Sequence, residues 1–172
     1  PEMFFNISTD GSGYQAIMVP DAGARNLVTK DSLEEKKIEE GISRTSLDIV
    51  LNGMDVFAFG ISKAPESVNR LIEHYSLDKE SIDFFLFHQA NLFMNEKIRK
   101  KLKIEEEKVP YSLAEFGNTS SATIPLTMLL KLSEKLKSDH LKILACGFGV
   151  GLSWGSVYLE TNQLICSSLI EL

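Results

Sequence analysis

A chain of 172 residues, 44% hydrophobic and 24% charged, is long enough for one domain with a sizeable core and ordinary for a soluble globular protein. Its formal net charge of -6 argues against a nucleic-acid partner, because phosphate binding wants a basic face. No signal peptide and no membrane-spanning run is expected, and Cys146 and Cys166 make neither a zinc spacing nor a disulfide framework. A reducing cytoplasm is the expected compartment. The chain opens at Pro1 with no initiator methionine, which fits processing or a piece of a longer protein.

In chain order, Met3 to Ile7 reads as a strand, Asp10-Gly11-Ser12-Gly13 as a turn and Ala16 to Val19 as a second strand stopped by Pro20. Asp21 to Ser46 is charged and lacks periodicity, so it reads as a surface excursion with at most a short helix. Asn52-Gly53 opens a helix whose apolar residues recur at threes and fours from Phe57 through Ile61, Ala64, Val68 and Leu71 to Tyr75. Phe84 to Phe87 is a buried-strand pattern running into His88-Gln89-Ala90-Asn91, and Asn91 suits the cap of a helix ending near Leu102. Gly117-Asn118-Thr119-Ser120-Ser121 is a small polar loop before a helix from about Ser121 to Leu136, with Pro125 tolerated only in its first turn. Leu141 to Cys146 reads as a buried strand and Gly147 to Gly151 as a tight turn. An alternating strand then returns from Leu152, and Leu164 to Leu172 reads as a final strand or an ordered tail.

His88 stands where a buried strand ends, the usual place for reaction sites in α/β sheets. A lone histidine in an apolar context is more often a satisfied core residue. Its place at a strand end, followed by amide and capping chemistry, favours a functional one. A neutral imidazole can donate one hydrogen bond to a reacting oxygen while its other nitrogen is held. Asn118 is a turn asparagine or a fixed amide donor for a developing oxyanion. The Gly147–Gly151 turn lacks the lysine and helix of a phosphate loop; it is a tight hairpin turn or a place of close backbone approach to substrate. Cys146 has apolar neighbours and nothing to lower its thiol pKa, so a nucleophile paired with His88 is the weakest reading. The residues alone give an oxyanion-stabilising acyl-transfer site with no evident nucleophile.

Taken together, Asp10-Gly11-Ser12, Leu51-Asn52-Gly53-Met54-Asp55-Val56-Phe57, His88-Gln89-Ala90-Asn91, Gly117-Asn118-Thr119-Ser120-Ser121 with Ile124-Pro125, and Gly147 through Gly155 resemble the C-terminal half of a β-ketoacyl-acyl-carrier-protein synthase III. The resemblance covers residues 1–172 and implies the cysteine-less half of a thiolase fold: α/β, with a five-stranded mixed sheet and helices on its faces. It implies a decarboxylative condensation of an acyl-CoA primer with malonyl carrier protein, needing no further cofactor and no metal. His88 and Asn118 match the pair that stabilises the enolate. Asn91, Phe148, Gly149, Val150 and Gly151 match substrate-binding positions. Lys100 and Lys101 match a carrier-protein docking patch, and Phe93 stands where many members have an arginine. The implied partners are acyl carrier protein, acyl-CoA, the N-terminal half of the same protein and a second copy in a homodimer, without nucleic acid or membrane. Three rivals stay open: an acyltransferase without decarboxylation, a non-catalytic binding or assembly half-domain, and a Cys146 hydrolase.

Overall fold

The computed structural model describes residues 2–167 and 169–170. Its elements in order are β1 (Met3–Thr9), β2 (Ile17–Met18), β3 (Lys36–Glu39), β4 (Ile42–Arg44), β5 (Val50–Leu51), α1 (Gly53–His74), β6 (Phe84–Phe87), α2 (Leu92–Leu102), the short α3 (Leu113–Phe116), α4 (Thr123–Ser138), β7 (His140–Gly149) and β8 (Ser153–Asn162). The main sheet runs β1-β8-β7-β6, with β6 parallel to β7 and the other pairs antiparallel. It is a mixed sheet with helices on both faces, as expected, but it has four strands and not five. Ala16 to Val19, expected to be a strand, contributes only β2, which pairs with β5 in a separate two-stranded ribbon. Nor does it pair with β1, whose partner β8 lies about 150 residues along the chain.

The continuous apolar runs of β6 and β7 follow from burial on both faces. Phe85, Phe87, Leu144, Cys146 and Phe148 point to the side covered by α1 and α2. Leu86, Ile143 and Ala145 point to the opposite side, against Leu132 and Leu136 of α4. Asn52 caps α1 by accepting from Asp55 N, and Asn91 caps α2 by accepting from Met94 N at 2.8 Å. Pro65 lies inside α1 and removes the N–H that would serve the Ile61 carbonyl. Lys101 on α2 replaces it, donating from Nζ to Ile61 O at 3.1 Å.

The excursion at 21–46 holds a hairpin, β3 with β4, that its charge pattern conceals; Lys36-Lys37 of the charged cluster open its first strand. The base of the excursion is tied by Ser32, which is buried and donates to Asp21 Oδ2 at 2.7 Å. The tail forms no strand among its described residues; Leu164 N donates to Leu136 O. Positions 168, 171 and 172 of that expected tail lie outside the described residues.

Candidate active site

His88 follows the last residue of β6 and continues its ladder, donating from the backbone N–H to Cys146 O at 2.9 Å. Beyond this point the chain leaves the sheet for the cap of α2, so the imidazole stands at the open end of the strand pair β6–β7. Its Nδ1 lies 2.8 Å from Oγ1 of Thr123, the first residue of α4. Phe148 of β7 meets the ring edge-on at 5.4 Å between centroids. Phe148 is in turn buttressed by Phe59, which also packs against Trp154. Burial lowers the His88 pKa from its ordinary value of 6.5, and the Ser120 backbone carbonyl partly offsets the shift. The ring is therefore neutral at physiological pH.

Asn118 reaches the same place from the loop before α4. Gly117 holds φ +62°, ψ -150°, a conformation open to glycine and costly for other residues. Ser120 takes the left-handed conformation at φ +55°. This brings Ser120 N within 2.9 Å of Asn118 Oδ1 and makes it the donor. With the amide oxygen occupied, the Asn118 NH₂ is the group left to donate.

His88 and Asn118 line one cavity of about 540 Å³, with Phe148, Gly149 and Val150 on its β7–β8 side. Ile17, Ile49 and Leu51 close another side, and no Asp, Glu, Lys or Arg lines it. Gly151 does not line the cavity; it sits at φ +142° in the hairpin turn, where a Cβ would stand 2.8 Å from Ser153 N. Val150 has no positive φ, so the β-branched residue costs the turn nothing. Asn91 is absent from the cavity wall and serves as the cap of α2. Lys100 and Lys101 are exposed on the last turn of α2, Lys100 3.8 Å from Glu96 and Lys101 engaged with Ile61 O. Phe93 is exposed and stacks on Phe57 at 5.5 Å.

Cys146 is fully buried on the α1 side of the sheet, and its thiol is pushed up to about 12 by that burial. It does not reach the cavity. A thiol reagent at neutral pH should label half-buried Cys166 and leave Cys146 unmodified while the chain is folded. Mass mapping of the modified peptide checks this; labelling of native Cys146 would restore it as a nucleophile.

Sequence reasoning missed Thr123, and it missed that β2 and β5 furnish an apolar wall. The signal for the wall lay in the apolar pairs Ile17-Met18 and Val50-Leu51, which face each other across the ribbon. Among the described residues no cluster of three or more His, Cys, Asp or Glu is placed to hold a metal ion. No described helix is long and apolar enough to cross a membrane.

A four-stranded mixed sheet between helix layers, with a histidine at a strand end and an asparagine from a glycine loop facing one cavity, defines a thiolase-like half-fold. The family model for the 3-oxoacyl-[acyl-carrier-protein (ACP)] synthase III C terminal matches residues 72–161, and the chain belongs to that family. The β-ketoacyl-[acyl-carrier-protein] synthase III of Trichodesmium erythraeum is 37% identical over 132 residues, 75% of this chain and 40% of that protein. The synthase III of Acaryochloris marina is 34% identical over 163 residues, 92% of this chain and 46% of that protein. The crystal structure of the 3-oxoacyl-(acyl-carrier protein) synthase from Burkholderia xenovorans superposes with a TM-score of 0.85 at 35% identity, covering 98% of this chain and 46% of that one. The chain thus spans less than half the length of these relatives.

Proposed function

We propose that this chain is the enolate-stabilising half of a 3-oxoacyl-[acyl-carrier-protein] synthase III. The complete protein would condense an acyl-CoA primer with malonyl carrier protein in fatty acid biosynthesis. In this reading, a cysteine supplied by the remainder of the protein takes the acyl group. The malonyl thioester then enters the cavity, and its carbonyl oxygen meets His88 and Asn118.

The observation that carries the reading is the pairing of two held side chains over a cavity free of formal charge. Nδ1 of His88 lies against Thr123 Oγ1 and Oδ1 of Asn118 accepts from Ser120 N, so Nδ2–H of Asn118 is left for a substrate oxygen, and Nε2–H of His88 joins it when the ring proton sits on Nε2. Both donors are fixed before reaction, which is the arrangement that stabilises charge developing on an oxygen. Loss of carbon dioxide moves the negative charge from the carboxylate onto the thioester oxygen. An apolar wall of Ile17, Ile49, Leu51 and Phe148 offers the carboxylate no partner, while the enolate oxygen finds two. The enolate carbon then attacks the acyl thioester, forming the new C–C bond as the C–S bond breaks and the cysteine thiolate leaves.

The family relationship and the lengths of the relatives support a second component, the N-terminal half. Acyl carrier protein is the expected donor of the malonyl group, with exposed Lys100 as the docking cation on α2. Asn91 and Gly151, away from the cavity wall here, would act through the α2 cap and the hairpin turn; Phe148, Gly149 and Val150 would contact substrate.

The test is release of carbon dioxide from malonyl carrier protein by the complete protein. Stoichiometric release with formation of a 3-oxoacyl product is expected. Acyl transfer without carbon dioxide would assign the protein to a non-decarboxylating branch.

A further inference from the structure

The hydroxyl of Thr123 has a single proton and two acceptors within reach. One is Nδ1 of His88 at 2.8 Å, and the other is the Ser120 carbonyl oxygen at 3.0 Å. The choice between them fixes the tautomer of the neutral ring. If the hydroxyl serves Ser120, the ring proton must sit on Nδ1, donate to Thr123 Oγ1, and leave a bare lone pair on Nε2. If it serves Nδ1, the ring proton sits on Nε2 and faces the cavity.

We propose that Thr123 donates to Nδ1 of His88 and thereby keeps the ring proton on Nε2, aimed at the cavity. Thr123 is a positioning residue: it acts through His88, and the inference rests on the reading of His88 as a hydrogen-bond donor to substrate. Three observations carry it. The contact to Nδ1 is the shorter of the two. The Ser120 carbonyl already accepts from the Thr123 backbone N–H, whereas Nδ1 has no other hydroxyl facing it, and Thr123 is 1% exposed. Thr123 itself is held from behind. Its carbonyl accepts from Thr127 Oγ1 at 2.8 Å, and that oxygen then has Ser112 Oγ at 2.7 Å as its donor. Ser112 N donates to Gln89 Oε1, and Gln89 Nε2 donates to Phe87 O at 2.8 Å. This buried chain ties the first turns of α4 to the end of β6, so helix and histidine share one frame. It has no member that titrates near neutral pH, so the ring orientation does not depend on a charge.

The experiment uses the complete protein labelled with ¹⁵N-histidine, with the His88 signals assigned by their loss in His88→Ala. At neutral pH, the wild type and Thr123→Ser should show a protonated, pyrrole-type Nε2 and an unprotonated Nδ1. Thr123→Val keeps the shape and removes the hydroxyl. It should lose this bias and slow decarboxylation on the order of 10-fold, short of the ~10²–10³ expected for deleting a donor outright. Acyl loading should be unchanged, and serine should rescue. A wild-type ring protonated on Nδ1 overturns the proposal, even if Thr123→Val does not fold. So does a Thr123→Val protein with the wild-type tautomer and rate. Failure of the donor reading shows separately, as His88→Ala sparing decarboxylation whatever the tautomer.

Discussion

His88→Ala in the complete protein should leave acyl loading intact and slow decarboxylation by roughly 10²–10³-fold. The two half-reactions should separate because, in the proposed function, the imidazole acts on the second substrate. Loading places negative charge on the oxygen of the acyl thioester, over the cysteine. On the proposed reading, decarboxylation places it on the malonyl thioester oxygen, which would meet Nε2 of His88 and Nδ2 of Asn118. Removing the ring takes away one of two donors from an uncharged cavity, where water cannot replace a fixed donor without reorganising. The pH dependence follows from the same burial. The proposed donor role needs a neutral ring, and burial lowers the His88 pKa below 6.5. For a base, a lowered pKa means the neutral form persists as acid is added. Wild-type carbon dioxide release should therefore hold as the pH falls through 6.5 and decline only further down. Time courses of carbon dioxide release and of acyl-enzyme formation, run in parallel, check both statements. Equal loss of loading and decarboxylation would show that His88 supports the site as a whole. A rate already halved at pH 6.5 would show a ring more exposed than its packing against Phe148 indicates.

The centre of the molecule is legible in the sequence, and the margins are not. β6 and the Ile143–Phe148 stretch of β7 are largely buried on both faces, so they read as apolar runs, and the caps Asn52 and Asn91 sit where the helical periodicity starts. These features depend on neighbours within a few residues. What failed depends on distant ones. Ala16 to Val19 looks as apolar as β1, yet only Ile17 and Met18 pair, and they pair with β5 outside the main sheet. β3 and β4 are exposed on nearly every residue, so no alternation marks them. The helical pattern of α1 runs through Pro65 without showing that Lys101, 36 positions later, serves the orphaned Ile61 carbonyl. The same limit hid Thr123. A threonine opening a helix looks unremarkable until β6 and α4 converge and set its hydroxyl 2.8 Å from Nδ1. His88 and Asn118 stood out because their neighbours are glycines, amides and caps. The residues that hold them are generic types given a purpose by tertiary contact.

Phe5→Ala should cost the complete protein about 3–5 kcal/mol, the range for deleting a buried phenylalanine side chain. In the chain described here Phe5 is 59% exposed, and so are its same-face neighbours Met3 at 60% and Ile7 at 77%. Between them, Phe4 and Asn6 face α1, where Asn6 accepts from Ser67 Oγ and Phe4 stacks on Tyr75. β1 thus has one face in the core and one apolar face in the open. α4 packs against β6, β7 and β8 and leaves Met3, Phe5 and Ile7 of β1 exposed. Phe5 and Ile7 line a groove of about 280 Å³ that shares Ile124 and Gly147 with the His88 cavity. Whatever covers β1 therefore also adjoins the His88 cavity. The proposed N-terminal half is the natural occupant, since it must bring a nucleophile to that cavity. Denaturant unfolding of the complete protein and its Phe5→Ala variant measures the cost. A change within about 0.5 kcal/mol, the usual effect of an exposed substitution, would mean that the face stays in solvent and that the cysteine approaches from elsewhere.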